Sequence, residues 1–229
     1  MNEDLRGLLA AGRGVVSVVR AWSVVPRHVI AHAVRSGRVV RPFPGALVAV
    51  EVSGQPMALW RAALIHAGPG AALSHLSALA AWGLPAGDGV AWGLPGGDRA
   101  AWGLRAGDRA AVHVMAVHVM TGPGRRLRAG GLVAHRRAGF EAVPPHVVFR
   151  AGLPVTRLER SLVDAWPLGA AEAVRAAVAA RLTTPDRIRA VLAHVPNLAG
   201  RTALTDFLDR LGGRWHSGAG SRYEDRLAG

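Results

Sequence analysis

Residues 14–52, GVVSVVRAWSVVPRHVIAHAVRSGRVVRPFPGALVAVEV, decide the fold of the N-terminal part of the chain. Ser17 is a helix-capping residue type, and the apolar segment behind it predicts a short helix that ends at Trp22. Pro26 favours the first position of a further helix, which Ser36-Gly37 closes. The stretch therefore begins with two short helices joined by a tight connection.

Another helix is predicted in front of these two, over residues 2–11. Asn2 is a favourable N-cap, and Glu3 and Asp4 suit the positive end of the helix dipole. Apolar residues follow at helical spacing, and Gly12 and Gly14 end the helix. The apolar stripe consists of Leu5, Leu8 and Leu9.

A β-hairpin is predicted after the helix that begins at Pro26, which is the third helix along the chain. Arg38 to Arg41 predict a strand, Pro42 to Gly45 a tight turn, and Ala46 to Val52 a second strand. Three helices followed by a hairpin are the layout of a winged helix-turn-helix, whose third helix enters the major groove of DNA. We therefore expect residues 1–53 to form a DNA-binding domain.

The charge distribution favours the same interpretation. The formal net charge is +13, and all 28 basic residues are arginine. A GC-rich genome would raise arginine everywhere, but it would not remove acidic residues from one stretch. Between Leu5 and Val50 there is no acidic residue, and a basic surface of this kind attracts nucleic acid. The alternative is a solvated basic face without a partner. The arginines in this stretch are Arg6, Arg13, Arg20, Arg27, Arg35, Arg38 and Arg41.

The helix after Pro26 has two faces. Helical spacing places Ile30, Ala33 and Val34 on an apolar face. The opposite face carries the residues that would meet DNA. We expect Arg27, His28 and His32 to face base edges, and Arg35, Arg38 and Arg41 to follow phosphates.

The rest of the chain, residues 54–215, predicts a mixed α/β (α+β) domain with a helical C-terminal part. Pro56 begins a helix that reaches residue 67, and Ser74 caps another that reaches Trp82. Strands are predicted near 71–73, 111–120, 131–136 and 146–150. Helices are predicted near 157–166, 170–181, 185–194 and 201–211.

An internal repeat interrupts this domain. Residues 81–90 recur with changes as 91–100 and 101–110, and the pentad 111–115 recurs as 116–120. Three decads rich in glycine are too few and too short for a solenoid. We interpret 81–120 as a surface loop expanded by duplication. A tryptophan-bearing binding loop is the alternative.

Eight blocks in this order resemble AbiEi-type antitoxins of type IV toxin–antitoxin systems and related actinobacterial regulators. The blocks are Gly14-Val15-Val16, Arg35 to Arg38, Ala67 to Ala71, Leu73-Ser74-His75, Trp82 to Pro85, Gly131 to Arg136, Gly152 to Arg157 and Ser161 to Asp164. The resemblance implies a winged helix that binds duplex DNA and regulates transcription. It also implies a cognate toxin as partner.

Some proteins of this architecture continue into an endonuclease domain similar to very-short-patch-repair enzymes, which opens with a Ser-x-x-Glu pattern. Ser221 to Glu224 resembles that opening, so we expect 216–229 to be its truncated start. The chain has no lysine, and five residues follow Glu224. The sequence therefore predicts a protein that is not an enzyme. The alternative function is an inactive remnant of such a nuclease.

Other chemistry finds little support in the sequence. There is no cysteine, and ten histidines occur without an evident ligand pattern. His113 and His118 lie in the duplicated pentad, while His75, His135 and His146 are far apart. A hydrolase built on Ser161, His135 and Asp164 would lack the Gly-x-Ser-x-Gly turn. We expect no catalytic residues, no cofactor and no bound metal.

The sequence also carries no sign of export or of a membrane segment. Met1 to Asp4 contains acid where a signal peptide is basic, and polar residues interrupt each apolar run before about 18 residues. We expect a cytoplasmic protein without a membrane partner. The sequence leaves the oligomeric state open.

Overall fold

A computed structural model describes residues 1–86, 116–124 and 127–224, with the backbone alone over 214–224. Helices and two sheets occur together in these ranges, which confirms the α/β class. The helices are α1 Glu3–Ala11, α2 Val18–Trp22, α3 Arg27–Arg35, α4 Pro56–Ala67, α5 His75–Ala81, α6 Leu158–Ala165, α7 Ala171–Ala179, α8 Pro185–Ala193 and α9 Arg201–Glu224. The strands are β1 Val15–Ser17, β2 Val39–Val40, β3 Ala46–Ala49, β4 Ala72–Leu73, β5 Val117–Thr121, β6 Leu132–Arg136, β7 Val147–Arg150 and β8 Leu153–Thr156.

Helices α1 and α2 begin at residues whose side chains cap the first turn. The Asn2 side chain accepts a hydrogen bond from the Leu5 amide at 3.1 Å, and the Ser17 hydroxyl accepts one from the Arg20 amide at 3.1 Å. Both caps satisfy amides that have no partner within the helix. Pro26 occupies the N-cap position of α3, one residue before the position predicted for it.

Strands β1, β3 and β2 form an antiparallel three-stranded sheet in that order. The hairpin is shorter than predicted, because β3 ends at Ala49 and residues 50–52 form a 3-10 helix. Strand β1 was not predicted. Gly14 leads into it with a φ of +84°, and a Cβ there would lie 2.3 Å from the Val52 side chain. Only glycine meets both conditions.

Helices α1–α3 and strands β1–β3, together the N-terminal module, share one apolar core. Helix α3 contributes Ile30 and Ala33, which are buried in the same core as Leu5 and Leu9 of α1. Val34 is 36% exposed, so the prediction that it shares their face is wrong. Val34 lies in the last turn of α3, one residue before the helix ends at Arg35, and the core does not cover it there.

The second sheet has five strands in the order β6-β5-β4-β8-β7, with parallel and antiparallel pairs. Because neighbouring residues of a strand point to opposite faces, Val117 and Val119 of β5 pack on α4, and His118 faces the other way. The same α4 core includes Val48 of β3. Helix α4 therefore joins the N-terminal module to the second sheet.

Helices α6–α9 pack around residues that are completely buried, such as Leu162, Val174, Ile188 and Leu204. Helix α8 begins as predicted, with the Thr184 hydroxyl accepting a hydrogen bond from the Arg187 amide at 3.3 Å. Helix α9 continues past the predicted end at 211, and its backbone is helical through Ser221 to Glu224. No helix in the described part of the chain is both long and apolar enough to cross a lipid bilayer.

Both ends of the predicted loop 81–120 belong to the core, which corrects the sequence prediction. The Trp82 indole N–H donates to the Thr156 carbonyl at 3.1 Å, and Leu84 is buried two residues later. The second copy of the pentad forms strand β5. Residues 87–115, with Trp92 and Trp102 of the alternative binding loop, lie outside the described ranges.

Deletion of residues 91–110 is expected to leave the melting temperature within a few degrees of that of the intact protein. The deletion removes two decads and keeps Trp82, Leu84 and strand β5, and loop length changes stability only slowly. Thermal unfolding followed by circular dichroism measures this. A loss of ten degrees or more would show that Trp92 or Trp102 contributes to the core.

Candidate functional site

All six residues predicted to meet DNA are exposed. Arg27, His28, His32 and Arg35 lie on α3, whereas Arg38 precedes β2 and Arg41 follows it. The buried positions of α3, Ile30 and Ala33, turn the opposite side of the helix to solvent. A helix surface followed by a hairpin therefore presents the whole predicted set.

Arg27 is held in place by an aromatic ring. Its guanidinium carbon lies 4.6 Å from the centre of the Trp22 ring, at a distance typical of a cation–π contact. Trp22 ends α2 and is 43% exposed. The contact orders the side chain at the start of α3 and links the two helices on their solvent side. The sequence identified Trp22 only as a helix end.

Arg41 is held at the turn of the hairpin. Its Nε donates a hydrogen bond to the Pro44 carbonyl at 3.0 Å, and Nη2 donates to the same oxygen. A guanidinium carries five N–H donors, so the remaining donors can still bind a phosphate. The backbone contact fixes this positive charge at the end of the hairpin.

No acid neutralises these arginines among the described residues. The four ion pairs found there lie between residues 160 and 209, on α6–α9. The arginines at positions 6, 13, 20, 27, 35, 38 and 41 are all exposed. The N-terminal module therefore presents uncompensated positive charge, which draws polyanions.

Three histidines form a second cluster that the sequence did not predict. His75 begins α5, His118 lies on β5 and His135 on β6. His118 Nδ1 and His135 Nε2 are 2.9 Å apart, within hydrogen-bond distance. The rings of His75 and His135 are stacked, with centres 3.4 Å apart and planes inclined by 15°.

Strand register explains how distant residues meet. Leu73 pairs with Val119, and because β4 and β5 are antiparallel, Ser74 lies opposite His118. The Ser74 amide donates a hydrogen bond to the His118 carbonyl at 3.0 Å. On the other side of β5, Met120 pairs with His135. His118 and His135 therefore lie on the same face of neighbouring strands, and His75 is the second residue after the end of β4.

The backbone at His75 is unusual. Its φ is +48°, a left-handed conformation that non-glycine residues adopt at a cost of about 1–3 kcal/mol. The hydroxyl of Ser74, which was predicted to cap α5, makes no cap bond and lies 3.1 Å from His75 Nδ1. The chain thus accepts a strained turn that directs this imidazole towards the other two.

Burial keeps these imidazoles neutral. Desolvation, with smaller effects of His135, His118 and Arg160, lowers the pKa of His75 to about 2. Desolvation and the neighbouring His135 lower the pKa of His118 to about 4. Desolvation also lowers the pKa of His135, although the Asp164 carboxylate opposes that effect. Ring nitrogens with free lone pairs are therefore present at neutral pH.

The remaining candidates from the sequence lie elsewhere. His146 is exposed beyond the cluster, and His113 lies outside the described residues. The Ser161 hydroxyl is completely buried and donates to the carbonyls of Thr156 and Arg157. The Ser161 hydroxyl therefore donates to the backbone of the preceding residues and not to His135. His118 shares the duplicated pentad with His113, but the residue that it contacts in the structure is His135.

Comparison with models of known protein families and with curated protein sequences finds no match. The geometry and charge described above therefore carry the functional argument.

Proposed function

We propose that the chain is a DNA-binding protein that docks on duplex DNA through its N-terminal module. In this proposal the module is a winged helix-turn-helix, α3 is its recognition helix and the β2–β3 hairpin is its wing. The observation that carries the proposal is the set of exposed arginines on α3 and the hairpin, none of which forms an ion pair with an acid among the described residues.

The connection between α2 and α3 supports a helix-turn-helix. Four residues, 23–26, join the two helices, which is the length typical of this motif. In such motifs the N-terminal residues of the second helix contact base edges. Here that end carries Arg27 and His28, and the stacking of Arg27 on Trp22 holds the guanidinium at this end of α3.

The hairpin supports a role in backbone contact. Arg38 and Arg41 flank the two residues of β2, and the Pro44 carbonyl orders Arg41. Charges placed beside a recognition helix bind phosphates and fix its orientation on the duplex. We therefore assign Arg35, Arg38 and Arg41 to phosphates, and Arg27, His28 and His32 to base edges.

We further propose regulation of transcription as the biological role, with a cognate toxin as the partner of the remainder of the chain. The resemblance to AbiEi-type antitoxins supports this role. The identity of the neighbouring gene tests it, since a nucleotidyltransferase-like toxin gene beside this one is expected. A downstream nuclease fragment in its place would favour the remnant of a DNA-targeted endonuclease.

Arg27→Ala and Arg41→Ala are expected to affect DNA binding in different ways. Loss of Arg27 should cost about 1–3 kcal/mol at the preferred site and relax the preference there, because a bidentate arginine–guanine pair carries sequence information. Loss of Arg41 should weaken all sequences alike and make the log–log salt slope shallower by about one. Selection from random duplexes followed by anisotropy titrations measures both effects.

Two further variants sharpen the comparison. Arg27→Lys keeps the charge but loses the bidentate fork, so it should relax the sequence preference while leaving the salt slope unchanged. Arg210→Ala removes an exposed arginine from α9 and should change neither. If Arg27→Ala and Arg41→Ala weaken selected and random DNA by the same factor, α3 does not read bases.

A further inference from the structure

We infer that His75, His118 and His135 form a binding site for a divalent transition metal, with Zn²⁺ as the ion that fits best. One ring nitrogen from each histidine lies within 4.8 Å of the other two. The three donors come from helix α5 and from strands β5 and β6 of the second sheet. The site therefore shares no residue with the proposed DNA surface.

The nitrogen separations are close to those of a zinc site. With Zn–N bonds of about 2.0–2.1 Å, tetrahedral geometry places neighbouring nitrogens about 3.3–3.4 Å apart. His118 Nδ1 and His135 Nε2 are 2.9 Å apart, so a metal in place of their shared proton opens this pair by about half an ångström. No two of the three nitrogens are more than 4.8 Å apart, so side-chain rotation has to close the widest separation by at most about 1.4 Å.

Two serines position the ligands. The Ser74 hydroxyl is within hydrogen-bond distance of His75 Nδ1, which leaves Nε2 of that ring for a metal. The Ser77 hydroxyl accepts a hydrogen bond of 2.9 Å from the His118 amide and ties β5 to α5. A hydrogen bond to the second ring nitrogen, as Ser74 makes to His75, fixes the tautomer and orientation of a histidine ligand, whereas Ser77 fixes the backbone of His118.

The donor set selects the class of ion. Neutral imidazoles suit zinc, copper and nickel, whereas magnesium and calcium require oxygen ligands. Three histidines are the protein ligands of zinc sites that keep one position open. Three donors with no fourth among the clustered side chains of the described residues match that arrangement.

A cleft of about 500 Å³ lies beside the histidine cluster. His75 and His135 line this cleft together with Arg137, Arg160 and Asp164. Arg160 is paired with Asp164 at 2.6 Å, so its charge is compensated beside the site. Water or a small anionic ligand can reach a metal from this side, and Arg137 favours the anion.

A surface pair of histidines is the competing explanation for any zinc binding. His28 and His32 are exposed and four residues apart on α3, a spacing that places both on one side of a helix. Such a pair offers two ligands and holds zinc weakly. The test therefore compares His135→Asn with the double variant His28→Asn/His32→Asn.

The experiment uses the full chain without an affinity tag, stripped with a chelator and titrated with Zn²⁺. The intact protein and the double variant should each bind one zinc per chain and gain about 5–10 °C in melting temperature at a 100-fold excess over Kd. His135→Asn should lose this zinc and the stabilisation, while circular dichroism confirms that it folds. Zinc retained by His135→Asn, or lost in the double variant, overturns the inference.

Cobalt spectroscopy gives a readout that does not depend on the folding of His135→Asn. In the His28→Asn/His32→Asn variant, Co²⁺ should show the intense visible absorption of a four-coordinate ion, and Zn²⁺ should bleach it. A weak spectrum of a six-coordinate ion, like that of Co²⁺ in buffer, would contradict the site. The same result would leave the DNA-binding proposal unaffected, because the two sites share no residue.

Discussion

Ile30→Asp is expected to unfold the N-terminal module and abolish DNA binding. Ile30 is 5% exposed and lies in the core that α3 shares with α1 and β3. Removal of the apolar side chain costs about 2–5 kcal/mol, and burial of a carboxylate adds a further penalty. A module of about 50 residues has a small free energy of unfolding, and the expected loss is larger than that free energy.

Val34→Asp is the matched control. It introduces the same charge on the same helix, one turn away, at a position that is 36% exposed. Its melting temperature should stay near that of the intact protein, and its DNA affinity should fall only by the effect of one added negative charge. Thermal unfolding and anisotropy titration of both variants measure the difference. Equal stability of Ile30→Asp and the intact protein would show that α3 does not pack as described.

Local features of the fold could be predicted because a few neighbouring residues decide them. Asn2, Ser17 and Thr184 cap helices as expected, since the hydrogen bond of a cap spans only three residues. The exposed set on α3 followed from helical spacing in the same way. These predictions needed no knowledge of the partners across the core.

The missed strands have physical reasons. Strand β1 is three residues long and runs directly into α2, so it shows no alternation of its own. Strand β8 contains Pro154, and proline within an apolar run argues against a strand. In both cases pairing with a distant strand stabilises a segment whose local preference is weak.

The histidine cluster could not be predicted for a related reason. The three decads of the repeat lie between His75 and His118, and strand register rather than sequence spacing brings these histidines together. His118 also belongs to a duplicated pentad, which explains its spacing from His113 and drew attention away from other partners. The second copy of the pentad nevertheless forms most of β5, and its histidine faces away from α4 towards His135.

The salt dependence of binding to duplex DNA tests the central claim most directly. If each of the six exposed arginines of the N-terminal module other than Arg27 neutralises one phosphate, the log–log slope of the binding constant against salt is about −5. Affinity then falls by about 10³ between 50 and 200 mM salt. A slope near zero, or no retention of duplex DNA at low salt, would contradict the proposal that this module docks on DNA through arginine.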